Sequence, residues 1–290
     1  MQYQADNAII MAAGTSSRFA PLSYERPKAL IEVRGEVLIE RQIRQLREAG
    51  IPEIIVVTGY KAEQFRYLAD RLGVRLVHNP DYLTRNNNSS IWAARAFLRN
   101  SYVCSADNYF SENPFTPEAE DAYYAAVYAP GETREWCMTE GADGYIDSVT
   151  VGGRNAWYML GHTFWSAAFS RRFLEILERI YTLPRTADQL WESIFMEHLD
   201  QLKMKIRRYP ENVIFEFDTL DELRVFDPSY VGDTRSQILR SVAAQLGCTE
   251  ADIQKVRPLR ADDNAAAGIR FLACGKEYDY AYETKMLKEI

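Results

Sequence analysis

The chain has 290 residues, 47% of them hydrophobic and 26% charged, and a formal net charge of −7 from 34 Lys and Arg against 41 Asp and Glu. That balance is ordinary for a globular protein, and the acidic surplus excludes a nucleic-acid binder built on a basic stripe. It leaves room for a small phosphorylated ligand, which needs only a few well-placed cations, and an aromatic share of 12% argues against disorder.

The opening MQYQADNAIIMAAG has no basic n-region, so no secretion signal is expected. Asn7–Met11 reads as a strand running into a turn of small residues. Apolar residues at Leu38, Ile39, Ile43 and Leu46 predict a helix over Val37–Ala49, stopped by Gly50. Glu53–Thr58 is a buried-type strand, Ala62–Leu72 a helix, Arg75–His78 a short strand, Ser89–Leu98 a helix and Tyr102–Ser105 a strand. This rhythm predicts a parallel α/β sheet. The middle reads as four strands, Ala122–Tyr128, Trp136–Glu140, Tyr145–Val151 and Trp157–Trp165, extending that sheet in an antiparallel or mixed way. Helices over Phe169–Tyr181 and Ala187–Leu199 and a strand over Val213–Phe217 follow.

After Asp227-Pro228 the texture changes: a helix over Thr234–Leu246, then a hairpin of Ile269–Ala273 and Glu277–Tyr282 about Cys274-Gly275-Lys276. A boundary is expected near 230. No apolar run reaches the roughly 18 residues of a membrane span. Cys104, Cys137, Cys248 and Cys274 form no C-x-x-C pair, and His78, His162 and His198 lie at no metal-ligand spacing, so neither a disulfide framework nor a structural zinc site is expected. The expected compartment is the cytoplasm.

The most informative stretch is Met11-Ala12-Ala13-Gly14-Thr15-Ser16-Ser17-Arg18, continued by Arg26-Pro27-Lys28. Small residues after a strand let backbone N–H groups approach an anion, while Arg18 and Lys28 offer a bidentate and a point-charge cation. Ala-Ala-Gly alone is more often a tight turn. Its combination with Arg18 and Pro27-Lys28 reverses that reading. The stretch resembles the [LM]-A-A-G-x-G-[ST]-R…P-K signature of nucleotidyltransferases that make activated sugars and alcohols, with Ser16 in place of the second glycine. Asn79…Tyr82, Asn86-Asn87, Ser90, Ser105-Ala106-Asp107-Asn108-Tyr109, Glu135-Trp136, Phe164-Trp165 and Phe215-Glu216-Phe217-Asp218 extend the resemblance, to about residue 228, to bacterial CTP:phosphocholine cytidylyltransferases.

That resemblance implies a Rossmann-like α/β nucleotidyltransferase fold with a mixed, mainly parallel central sheet over 1–230, carrying a nucleotide at the C-terminal ends of its strands. Asp107 follows one strand and Asp218 ends another. A lone Asp after a strand is usually a cap or turn residue, but the resemblance assigns both to Mg²⁺, which takes one or two carboxylates with phosphate oxygens and water. The implied reaction is in-line attack of an acceptor phosphate on the α-phosphate of CTP, with Lys28 stabilising developing charge and Arg18 holding pyrophosphate. Ala12, Ala13, Gly14, Thr15, Ser16, Ser17, Asn87 and Ser90 would face the nucleotide, although Ser90 equally suits a cap at the helix start, Asn87 less so, and the two roles can coexist. Thr58-Gly59-Tyr60 is a further candidate wall.

A quaternary ammonium is bound by aromatic faces. By resemblance Glu135, Trp136 and Glu216 belong to the acceptor site, and Trp157 and Tyr158 are candidates for a second face; Trp165 and Trp191 read as core. The residue before Trp191 is Leu190, where the family can supply a Tyr, which brings phosphoethanolamine and 2-aminoethylphosphonate into play beside phosphocholine. A sugar 1-phosphate acceptor and a catalytically silent nucleotide-binding protein are the remaining alternatives. Residues 231–290, a small α+β extension, faintly resemble the opening of choline-kinase-type domains through Leu259–Asn264 and Phe271…Gly275-Lys276-x-Tyr278. They carry no kinase catalytic loop. The segment is expected to be non-catalytic, a fragment of a fusion or a module for packing or homodimer formation, with packing preferred.

Overall fold

The computed structural model describes residues 2–261 and 266–290. By compactness the chain divides into one unit of Met1–Gly14 with Leu38–Glu216 and a second of Thr15–Val37 with Phe217–Ile290. This division does not fall at residue 230. Everything from 217 onward groups instead with residues 15–37, and the chain passes from the first unit to the second between Gly14 and Thr15.

The first unit is the expected α/β layer. Strands β1 (Asn7–Ala12), β2 (Ile54–Thr58), β3 (Arg75–His78) and β4 (Ser101–Ser105) lie parallel, with β1 central between β2 and β4. Helix α1 (Leu38–Glu48) buries Leu38, Ile39, Ile43 and Leu46, the face its periodicity predicts. Helix α2 (Arg66–Leu72) precedes β3, and α3 (Asn88–Ala93) precedes β4.

The four middle strands join into two long ones, β5 (Tyr123–Glu140) and β6 (Ile146–Trp165). The stretches that read as turns remain paired, Glu132 opposite Arg154 and Thr133 opposite Gly153, with register shifts on either side. Bulges bend the ribbon where glycines suggested breaks. An unforeseen edge strand, β7 (Lys205–Tyr209), runs parallel to β5 and completes the seven-stranded order β7-β5-β6-β4-β1-β2-β3. Its sequence KIRRY is charged, as suits an edge, which hid it from a search for apolar runs.

Helices α4 (Ala167–Ile180) and α5 (Trp191–Glu197) close the core. Trp165 is fully buried, with ring centroids 5.0 Å from Phe169, 4.7 Å from Phe173 and 5.1 Å from Trp191, so both tryptophans read as core residues are core.

In the second unit, Thr219 and Glu222 form a reciprocal capping box at the start of α6 (Leu220–Phe226), and Ser236 caps α7 (Gln237–Leu246). Four antiparallel strands follow: β8 (Gln254–Arg260), β9 (Ala266–Ala273), β10 (Lys276–Ala281) and β11 (Leu287–Glu289). The β9–β10 turn is the expected hairpin, whereas β8 and β11 were not foreseen; Asp262, Asp263 and Asn264 of the kinase-like motif lie outside the described residues. The two stretches of this unit are tied together by the Tyr230 hydroxyl donating to the Glu32 carbonyl at 2.5 Å and by Tyr24 stacked on Tyr282 at 4.0 Å.

Trp165→Ala should lower unfolding free energy by about 3–5 kcal/mol, the usual loss for emptying a buried indole site. A urea midpoint displaced by less than the equivalent of about 1 kcal/mol would mean that this cluster does not carry the core.

Candidate active site

In the first unit β1 delivers Ala12 and Ala13, both buried, and then Gly14. The Tyr60 amide donates to the Ala13 carbonyl at 3.0 Å. A Cβ on Gly59 would stand 2.7 Å from Tyr82 and 2.8 Å from that same carbonyl, so only glycine fits there. Thr58-Gly59-Tyr60 thus braces the start of the small-residue loop.

The second unit holds the rest of the loop. Ser16, where the signature carries glycine, adopts a left-handed φ of 47°. The position keeps the conformation that glycine takes freely, at some strain for serine. One Arg18 guanidinium nitrogen lies 2.8 Å from Asp218 Oδ2, and Lys28 Nζ lies 3.9 Å from Asp218 Oδ1. Lys28 is 4% exposed and its ammonium lies 5.5 Å from the Phe19 ring centre, whereas Arg18 reaches into solvent. A buried ammonium needs a counter-charge, and Asp218 supplies one. Three of the residues singled out in the sequence therefore meet here.

Asp107 occupies the two-residue turn between β4 and the short strand Asn108–Phe110. Two residues that sequence reasoning missed hold this turn. Gln42 donates to the carbonyls of Ser105 at 2.8 Å and Asn108 at 2.9 Å. Arg41 donates to those of Phe110 at 2.8 Å and Ser111 at 3.0 Å while lying over the Tyr109 ring. A signal existed: Gln42 and Gln45 fall on the buried face of an otherwise apolar helix stripe. Glu216 pairs with Asn108 across the ribbon and accepts from its amide at 3.3 Å, which puts this carboxylate beside the Asp107 turn.

The acceptor candidates separate. Burial first, then the carboxylates of Glu135, Glu211 and Glu216, push the Tyr158 phenol up, so Tyr158, Glu135 and Glu216 share one electrostatic neighbourhood. Trp157 does not join Tyr158 as a second face. Neighbours on one strand point to opposite sides, and the Trp157 ring already meets Tyr128 edge-on at 5.3 Å and the Arg208 guanidinium at 5.5 Å. Trp136 is half-buried against the core that includes Tyr124 and Trp191.

Ser90 is buried and accepts from Asn79 at 3.3 Å; helix α3 begins at Asn88, and Asn87 stands at its N-cap position without a side-chain capping bond. The Asn87 side-chain oxygen Oδ1 accepts from the Trp191 backbone N–H at 2.7 Å, and its side-chain Nδ2 donates to Glu192 at 3.0 Å. The Tyr124 hydroxyl also donates to Glu192, at 3.4 Å, and the Tyr124 ring stacks on Trp191 at 5.8 Å. Glu192 was not foreseen, since an acidic residue in a first helical turn reads as a dipole partner. Burial pushes its carboxyl up to about 7, against the opposing pull of Asn87 and Tyr124. Its surroundings would stabilise a cation brought to it.

For a divalent metal the donor chemistry fits. Among the described residues no three or more His, Cys, Asp or Glu side chains cluster as a ligand set. Mg²⁺ asks for fewer, because one or two carboxylates suffice when substrate phosphates complete the shell. Asp107 and Asp218 each offer such a carboxylate within its own unit.

Residues 8–190 match the MobA-like NTP transferase domain. The chain belongs to this nucleotidyltransferase family. It is 34% identical over 217 residues to the choline-phosphate cytidylyltransferase of Streptococcus pneumoniae, covering 75% of this chain and 95% of that protein. It is 36% identical over 234 residues to the 2-aminoethylphosphonate cytidylyltransferase of Lancefieldella rimae, covering 79% and 95%. The solved CTP:phosphocholine cytidylyltransferase from Streptococcus pneumoniae superposes with a TM-score of 0.74 at 33% identity over 78% of this chain and 99% of that one. The expected nucleotidyltransferase fold is therefore the one present, with no helix among the described residues long and apolar enough to cross a membrane.

A carboxyl raised to about 7 ionises later in the folded than in the unfolded chain, so its burial costs stability as pH rises from 4.5 toward 7. Carbon-13 NMR should find Glu192 titrating near neutrality, and Asn87→Ala should raise it further by deleting a bond that favours the carboxylate. A titration near 4.5 in the wild type would contradict the assigned environment.

Proposed function

We propose that this nucleotidyltransferase joins CTP and phosphocholine, releasing CDP-choline and pyrophosphate. An acceptor phosphate oxygen forms the new bond to the α-phosphorus, and the bond to the bridging oxygen breaks with its electron pair leaving on pyrophosphate. Lys28 and Arg18, converged on Asp218, supply positive charge for the attacking and departing phosphates. Asp107 and Asp218 would each offer a carboxylate to magnesium, which would supply charge neutralisation for the triphosphate. The rest of the loop, Ala12 to Ser17, offers backbone amides to the nucleotide, and Asn87 serves by holding Glu192.

The observation that carries the acceptor reading is the Glu192 carboxylate, anchored by Asn87 and Tyr124 beside the Tyr124–Trp191 aromatic pair. With Trp136, Tyr158, Glu135 and Glu216 it gives a cationic headgroup both negative charge and aromatic faces. A sugar 1-phosphate has no positive charge to meet it. The same carboxylate favours a second reading, 2-aminoethylphosphonate, because a primary ammonium can donate hydrogen bonds to Glu192 directly. Cytoplasmic action belongs to this picture and is supported by four free thiols at Cys104, Cys137, Cys248 and Cys274.

Steady-state kinetics with phosphocholine, phosphoethanolamine and 2-aminoethylphosphonate should give the highest kcat/KM for phosphocholine, and a preference for either primary amine would move the assignment to the second reading. The acceptor KM should fall as pH rises from about 6 to about 8 through ionisation of Glu192, and Glu192→Gln should flatten that component. Asp107→Asn and Lys28→Ala should each lower kcat by at least about 100-fold while the fold persists; near-wild-type turnover in either would remove that residue from the chemistry.

A further inference from the structure

The relatives above cover 95% of their own length but only 75% and 79% of this chain. The C-terminal sheet nevertheless belongs to the compact unit that holds the signature loop after Gly14. Strand β8 packs against the short helical turn Ser17–Phe19. At the end of that strand the Arg260 guanidinium donates to the Ser17 hydroxyl at 2.6 Å. Ser17 immediately precedes Arg18, whose guanidinium turns to Asp218 at 2.8 Å. Arg18 and Lys28 therefore meet at the Asp218 carboxylate, and Arg260 stands on the hydroxyl of the residue just before Arg18. Besides the stack of Tyr282 on Tyr24, the segment presents a guanidinium to Ser17, a group suited to orient a hydroxyl and raise the local positive potential for a polyphosphate.

We infer that Arg260 is a positioning residue for the nucleotide's phosphates: it fixes Ser17, sets the direction of Arg18 and adds positive charge on the polyphosphate side. The C-terminal segment then belongs to the nucleotide-binding apparatus, in contrast to the packing role its sequence suggested. The inference rests on the reading of the signature loop as a phosphate site, but not on the identity of the acceptor.

The test uses the full chain and calorimetric binding of CTP and of inorganic pyrophosphate, each with Mg²⁺, so that no turnover is needed. Arg260→Ala should weaken both about tenfold, the worth of one charge-assisted hydrogen bond. Its melting temperature should stay at the wild-type value, because the side chain is exposed. Arg260→Lys should recover part of the loss. Ser17→Ala, which removes the acceptor without touching the sheet, should reproduce it. Arg257→Ala, on the same strand and paired with Glu277, should bind like the wild type. In turnover, the KM for CTP should rise while the acceptor KM stays put. Binding by Arg260→Ala within twofold of wild type would overturn the inference, as would a wild type that binds neither ligand. A wild type that binds both yet transfers to no amino-alcohol phosphate would defeat the proposed reaction and leave the role of Arg260 standing.

Discussion

Two cations on one loop repel each other, and a loop of small residues has no rigidity with which to oppose them. Asp218 resolves this by meeting Arg18 through one carboxylate oxygen and Lys28 through the other. The exposed half of that arrangement contributes little stability, as surface ion pairs rarely do. Its effect is directional: it holds one guanidinium and one nearly buried ammonium toward a common point. The capping box at Thr219 and Glu222 follows immediately, and Glu222 accepts from the Asp218 amide at 2.7 Å, so the carboxylate is anchored by a helix start. The loop's cations are thus organised by residues some two hundred positions later in sequence.

The first unit solves a related problem with the opposite sign. A carboxylate in apolar surroundings prefers to keep its proton, and Glu192 does so up to about 7. Asn87 and Tyr124 hold it in place without neutralising it. A cation brought to it would restore the missing stabilisation, the same desolvation that raises the pKa. At the strand ends, Gln42 holds the carbonyls of Ser105 and Asn108 on either side of the Asp107 turn, and Arg41 holds those of Phe110 and Ser111 just beyond it.

Much of this was legible in the sequence, and for physical reasons. Continuous apolar strands and the stripe on Leu38–Glu48 exist because both faces of the parallel sheet are covered, and the spacing of Arg18 and Lys28 on one loop singled out two cations that the fold brings to one carboxylate. What stayed hidden depends on distant pairing. The glycines near 131 and 152–153 signal turns locally, but opposite each other they become bulges in one long ribbon. Strand β7 is too charged to read as a strand until β5 lies beside it. Glu192 and Gln42 look like ordinary helix residues, since neither burial nor hydrogen-bond partners can be read one residue at a time. The role of residues 217–290 was the largest gap, because grouping with Thr15–Val37 is a non-local property that no spacing rule encodes.

The proposed reaction is transfer of a cytidylyl group to a cationic amino-alcohol phosphate. Phosphorus-31 NMR of the wild-type protein with Mg²⁺, CTP and phosphocholine tests it in one experiment, because substrates and products have distinct signals. A pyrophosphate signal and the paired doublets of a CDP-choline diphosphate diester should grow equally, with no such doublets when glucose 1-phosphate replaces phosphocholine. Diester formation with the sugar phosphate but not with phosphocholine would contradict it.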